Sequence, residues 1–135
     1  DCLADGRIPR AVIFGAGHGT TYPGKDSSGY ALAADAIRVA SQGDTPLVEH
    51  WDFDLGGPLF DGKPVCCIDT GDIATTMHDN SGNRARIEAK TRQVLALPAV
   101  PILLGGDDSV PIPFLAGFAD HGPVWTTTDR RGGTA

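Results

Sequence analysis

The run Ala99-Val100-Pro101-Ile102-Leu103-Leu104 and the turn after it, Gly105-Gly106-Asp107-Asp108-Ser109, limit the fold more than any other stretch of the chain. A continuous apolar segment without strict alternation reads as a buried strand of a parallel sheet covered by helices. The glycines and carboxylates that follow put polar chemistry at the carboxyl end of that strand, where open α/β sheets gather their sites. Two local readings stand side by side. In one, Gly-Gly relieves the backbone of a tight turn while Asp and Ser cap the next segment. In the other, Asp107 and Asp108 are crowded carboxylates whose repulsion a hard divalent cation relieves.

The remaining elements alternate around this one. Ala11-Val12-Ile13-Phe14 is short, apolar and β-prone, and predicts a first strand ending at Gly15. Between Tyr30 and Ser41 the residues Leu32, Ala33, Ala36, Ile37 and Ala40 share one helical face. Val48 to Phe53 reads as extended, and Leu55 to Pro64, with Gly56-Gly57-Pro58 and Asp61-Gly62, as loop or hairpin. Val65-Cys66-Cys67-Ile68 predicts a second buried strand, and Asn83 to Leu97 a helix burying Ile87, Thr91, Val94 and Leu95 before Pro98 stops it. Pro111 and Pro113 suit the first turn of a further helix, and Val124-Trp125 begins another strand. Strand, helix, strand, helix, strand is the signature of right-handed crossovers, hence a three-layer α/β/α fold with a mainly parallel sheet.

The 135 residues are enough for one domain with a core. A formal net charge of −6 argues against nucleic acid or an anionic membrane as partner. No apolar run reaches the length of a membrane span. Cys2, Cys66 and Cys67 make neither a disulfide framework nor a zinc spacing, which points to a reducing cytoplasm.

Gly15-Ala16-Gly17-His18-Gly19 imitates a phosphate-binding loop. Such loops run directly into a helix, whereas here Tyr22-Pro23-Gly24 makes another turn. His18 reads either as a loop histidine bonded to backbone or as a side chain facing the site. Asp69 and Asp72 lie just past the second predicted strand, as turn and cap residues or as groups supporting a metal ligand.

Gly105-Gly106-Asp107-Asp108-Ser109 resembles the Gly-Gly-Asp-His-Ser metal motif of the ureohydrolases, the family of arginases and agmatinases, with Asp108 in the place of a metal-binding histidine. Val12-Ile13-Phe14-Gly15-Ala16, Gly19-Thr20, Tyr22-Pro23-Gly24 and the stretch from Asp35 to Ser41 are similar to the amino-terminal block of agmatinase-type members. Asp69-Thr70-Gly71-Asp72-Ile73 is similar to the family's aspartate-glycine-aspartate segment. These matches are collinear from about Arg10 to about Val124.

The resemblance implies an arginase-like fold and a binuclear manganese centre. Its bridging water, made acidic by the metals, would attack a guanidino compound to give urea and an amine. It makes Asp108, a harder ligand than imidazole, and Asp129 the candidate metal ligands. Asp107, Ser109, His18 and Asp72 become candidates for supporting or substrate-loop roles. It also implies a homo-oligomer. Most of the family's other ligands have no counterpart here, and Arg131, two positions past Asp129 in the place of the histidine of the family's Asp-x-His-x-Asp, is a cation that cannot ligate a metal, so the chain by itself is expected to be inactive. Residues 1–125 read as the amino-terminal part of such a domain, and 126–135 as a polar tail expected to be disordered. The contrasting reading is a non-catalytic α/β module whose open sheet edge drives association.

Overall fold

The computed structural model describes residues 4–60 and 65–121. The turn at Asp61-Gly62, the strand expected at Val124-Trp125, Asp129, Arg131 and the tail 126–135 all lie outside the described residues. A three-stranded parallel sheet forms from β1 (Ala11–Ala16), β4 (Cys67–Asp72) and β5 (Val100–Gly105), in the order β4-β1-β5. In register, Val12 stands beside Ile68 on one side and Pro101 on the other, and Phe14 beside Leu103. The central strand is therefore the one most deeply buried.

Successive residues of β1 face opposite helices. Val12, Phe14 and Ala16 are buried against Val94 and Ile87 of α2 (Asn80–Leu95), with Phe114 of α3 (Pro111–Ala116) closing the cluster. Gly15, on the other face, lies so close to Ala34 of α1 (Ala33–Ser41) that an added Cβ would come within 2.7 Å of the Ala34 methyl. Helices thus cover both faces, as the alternation of elements requires. Phe14 and Ile87 are fully buried, and such side chains each contribute about 2–3 kcal/mol by leaving water. Phe114 extends the cluster through ring contacts with Phe14 at 6.5 Å and Phe118 at 5.3 Å between centroids.

Helix α2 starts where Asp79 caps it, its carboxylate accepting from the Gly82 N–H at 3.0 Å. The buried residues Asn83, Ile87, Thr91 and Val94 make its inner stripe. Arg92 joins α2 to the end of α3 by donating to Glu88, to the Ala116 carbonyl and, at 2.6 Å, to Asp120.

Several boundaries differ from the sequence expectation for identifiable reasons. The second sheet strand runs from Cys67 to Asp72, not Val65 to Ile68, so Asp69 and Asp72 belong to the strand itself. Polar residues are tolerated there because Arg38 lies over them: its guanidinium grips Asp69 at 2.7 and 3.1 Å and reaches Asp72 at 2.6 Å and Asp35 at 3.0 Å. The same contacts turn α1. Ala34 is its one buried residue, whereas Leu32 is 67% and Ile37 44% exposed, so the expected apolar face is not the packed one. A 3-10 turn, Ser28–Leu32, precedes this helix.

Val48 to Phe53 holds only a two-residue strand, β2 (Trp51–Asp52), paired antiparallel with β3 (Gly57–Pro58) in a hairpin. Cys66 is buried and disulfide-bonded while Cys67 is a free, exposed thiol. This corrects the expectation that the cysteines stay outside disulfides. Finally, β5 is half-buried: Pro101 is covered, but Val100 is 63% and Ile102 39% exposed.

Candidate functional site

The carboxyl ends of β1 and β5 meet in a hydrogen-bonded knot centred on Asp107. Strand β5 ends at Gly105, and Gly106 passes so near the backbone of β1's following loop that an added Cβ would sit 2.1 Å from the His18 carbonyl oxygen. Only glycine permits that approach. The next residue donates its N–H to the same carbonyl, Asp107 N to His18 O, at 3.3 Å.

Both carboxylate oxygens of Asp107 are engaged. Oδ2 accepts from the Thr20 N–H at 2.9 Å, and Oδ1 from the Ser109 N–H at 3.0 Å and the Ser109 hydroxyl at 2.5 Å. Burial by itself would push this carboxyl's pKa up, but the Ser109 hydroxyl and the Ser109 and Thr20 amides outweigh it and hold the pKa below the usual carboxylate value. Ser109 is buried. Asp107 and Ser109 therefore act here as the turn's internal fastening.

Asp108 has the opposite environment. Its side chain is exposed, and no hydrogen bond to it occurs among the described residues. The turn thus separates the two neighbouring carboxylates, one committed to the fold and one left open at the carboxyl end of β5.

His18 is 2% exposed and sits just past β1. It is not bonded through its ring to backbone, as a loop histidine would be. Its Nδ1 lies 3.2 Å from the Asn83 side-chain nitrogen. Asn83 is oriented by Thr76, whose N–H donates to Oδ1 and whose carbonyl accepts from Nδ2, both at 2.9 Å. Because Nδ2 is the donor, His18 Nδ1 is the acceptor and Nε2 carries the proton. Burial lowers the His18 pKa, nearby Asp107 opposes this, and Arg84 adds to the lowering, so the ring is neutral near pH 7. Its Nε2 is buried without a hydrogen-bond partner. Asn83 had no signal in the sequence beyond its place near a helix start.

Asp72 stands on the Arg38 side. Its Oδ1 takes the guanidinium at 2.6 Å and would lie 2.0 Å from a Cβ at Gly15. It is therefore held in an ion-paired group on the α1 face, separate in its contacts from the Asp107 knot.

The chemistry of the donor set is that of a scaffold with one free oxygen ligand. Among the described residues no three His, Cys, Asp or Glu side chains come together as a metal site. Asp107 has no free carboxylate oxygen, the His18 ring is turned to Asn83, and Asp108 alone is open. These residues do not by themselves fit a pair of manganese ions, and no catalytic step is assigned to them.

A parallel α/β sheet covered on both faces, with an apolar strand ending in Gly-Gly-Asp-Asp-Ser, defines the class to which the comparisons then give a family. A profile of the arginase family matches residues 9–126. The chain belongs to the arginase family. It is 32% identical over 79 residues to the mitochondrial agmatinase of Gallus gallus, a match covering 58% of this chain and 23% of that protein. Its fold superposes on a hypothetical agmatinase from Burkholderia thailandensis with a TM-score of 0.63 at 26% identity, covering 86% of this chain and 36% of the other. A crystal structure of a protein assigned as an agmatinase from Clostridium difficile gives a TM-score of 0.65 at 20% identity, over 84% of this chain and 38% of that one. The chain matches about a quarter of the curated relative and little more than a third of the solved ones.

Proposed function

We propose that this chain contributes, through residues 1–125, the amino-terminal part of a manganese-dependent ureohydrolase that releases urea and an amine from a guanidino compound of the agmatine kind. Residues 126–135 are a polar tail outside that part. The observation that carries the reading is Asp108, an exposed carboxylate without a partner among the described residues, placed at the carboxyl end of β5 where open sheets keep their sites. It occupies the position of a metal-binding histidine in the resembling motif and offers a hard oxygen donor to manganese. Asp129, outside the described residues, is the second proposed ligand. Cytoplasmic location and a homo-oligomeric assembly belong to the same reading.

Calorimetric titration of manganese into the 135-residue chain, with urea release from agmatine measured on the same sample, tests it. Weak binding that disappears in Asp108→Ala, with no urea released, is the expected result. Binding unchanged in that variant removes Asp108 as a ligand. Two manganese ions per chain together with urea release would overturn the incomplete site.

One observation favours a second reading, a module that associates through its sheet. Within the described residues β5 pairs only with β1, and it presents Val100 and Ile102 to solvent. Sedimentation that shows a concentration-dependent dimer without metal would support it; a monomer at all concentrations would remove it.

A further inference from the structure

A cavity of about 80 Å³ opens beside the loop that follows β1, and neither Asp107 nor Asp108 lines it. His18 and Asn83 line it together with Thr21, Ser27, Ser28 and Thr75. Its space corresponds to a group of a few heavy atoms, since one water occupies about 30 Å³ of liquid. The chain carries 17 acidic against 11 basic residues, yet none of the described residues lining this cavity is acidic.

What lines it is rich in donors. His18 is neutral with its proton on Nε2, and that buried nitrogen has no partner. An unsatisfied buried donor is unfavourable unless something accepts from it. The Thr21 and Ser27 hydroxyls make no side-chain hydrogen bond among the described residues, whereas Thr75 donates to the Gly17 carbonyl at 3.4 Å. Asp26 accepts the Ser28 N–H at 2.8 Å. Of the charged groups acting on His18, Asp107 outweighs Arg84, but both oxygens of that carboxylate are already engaged by the Thr20 and Ser109 donors.

We propose that this cavity is a subsite for a small carboxylate, held by the His18 Nε2–H and the Thr21 and Ser27 hydroxyls. A carboxylate supplies up to four acceptor positions and no donor, which suits a cavity lined by His18, Thr21 and Ser27. An ammonium group would leave the His18 Nε2–H without an acceptor and would find only the two hydroxyl oxygens to accept from it. The fixed Asn83 amide is what keeps the histidine in the donating tautomer toward the ligand. The assignment is independent of the reaction proposed above, because it involves neither Asp108 nor a metal.

The test is a titration of the 135-residue chain, uniformly labelled with 15N, with sodium acetate at constant ionic strength. A saturable shift of the His18 Nε2 resonance is expected, absent with sodium chloride or ethylammonium chloride. In Thr21→Val/Ser27→Ala, which leaves the His18–Asn83 pair in place, apparent affinity is expected to fall by about tenfold or more. His18→Phe, if folded by its amide spectrum, is expected to abolish saturation at the neighbouring Gly17 and Gly19 amides. No saturable shift with acetate, an equal shift with ethylammonium, or undiminished affinity in the double variant would overturn the proposal and leave the cavity to water.

Discussion

Asn83, from the first turn of α2, places its side-chain nitrogen 3.2 Å from Nδ1 of His18, in the loop after β1 and 65 residues away in sequence. The contact joins a helix start to a strand end, and it fixes a tautomer. Asn83 also satisfies the N–H and carbonyl of Thr76 and accepts from Arg86 at 2.6 Å. Asn83→Ala is therefore expected to destabilise the chain by about 2–3 kcal/mol, since buried polar groups lose their partners. Urea denaturation followed by circular dichroism checks it; a loss under about 0.5 kcal/mol would place the residue among ordinary surface positions.

The buried histidine gives a pH dependence with a definite sign. Burial chiefly lowers its pKa from the model-peptide value of 6.5, so the unfolded chain takes up a proton at this residue more readily than the folded one. The His18 contribution to stability is present above that unfolded value and is lost as pH falls below it. Stability measured between pH 8 and 5 should decline toward the acid end, and His18→Gln should flatten the decline. An unchanged slope in that variant would assign the effect to other groups.

Neighbouring aspartates in the glycine-rich turn should behave differently on replacement. Asp107→Ala leaves the Thr20 and Ser109 donors unpaired and is expected to cost about 2 kcal/mol. Asp108→Ala is expected to change stability by less than about 0.5 kcal/mol, since the side chain is exposed. Thermal melts of both variants decide the matter; equal losses would mean that the turn fastens through both carboxylates.

Gly106 marks the closest approach of the two strand ends. Gly106→Ala would set a methyl 2.1 Å from the His18 carbonyl oxygen, a backbone atom that cannot swing away, and is expected to cost about 3 kcal/mol or prevent folding. Gly29→Ala meets nothing within 4 Å and serves as the matched control. Comparable stability for the two variants would show that the turn can relax.

Arg38 holds Asp69 and Asp72 at the end of β4, and it is the main reason that the Asp69 pKa is lowered. A depressed carboxylate contributes stability above its unfolded value, near 3.9, that is lost as pH falls through the folded value. A double-mutant cycle of Arg38→Gln with Asp69→Asn at pH 7 is expected to show a coupling of about 0.5–1 kcal/mol, modest because the pair is partly exposed. The coupling should be lost as pH falls through the folded Asp69 value. Its persistence below that value would point to packing of the arginine stem instead of charge.

The sequence by itself determined the class of fold. The apolar runs at Val12 and Leu103, the stripe Ile87-Thr91-Val94 and the turn glycines obey local rules of periodicity and backbone freedom, so the alternation of strands and helices, the parallel sheet and the family resemblance were legible in it. It also marked Gly105-Gly106-Asp107-Asp108-Ser109 as the polar end of a strand. It did not determine the environments of the two aspartates, nor the partner of His18, nor the packed face of α1, because each depends on residues distant in sequence. Thr20 reaches Asp107 across 87 positions, Asn83 reaches His18 across 65, and Arg38 reaches Asp69 across 31. The tertiary structure decided these through hydrogen-bond satisfaction: once the strands aligned, buried donors and acceptors had to find partners among whatever side chains the topology brought near. Asp107 was drawn inward by that requirement, and Asp108, one residue on, stayed in solvent.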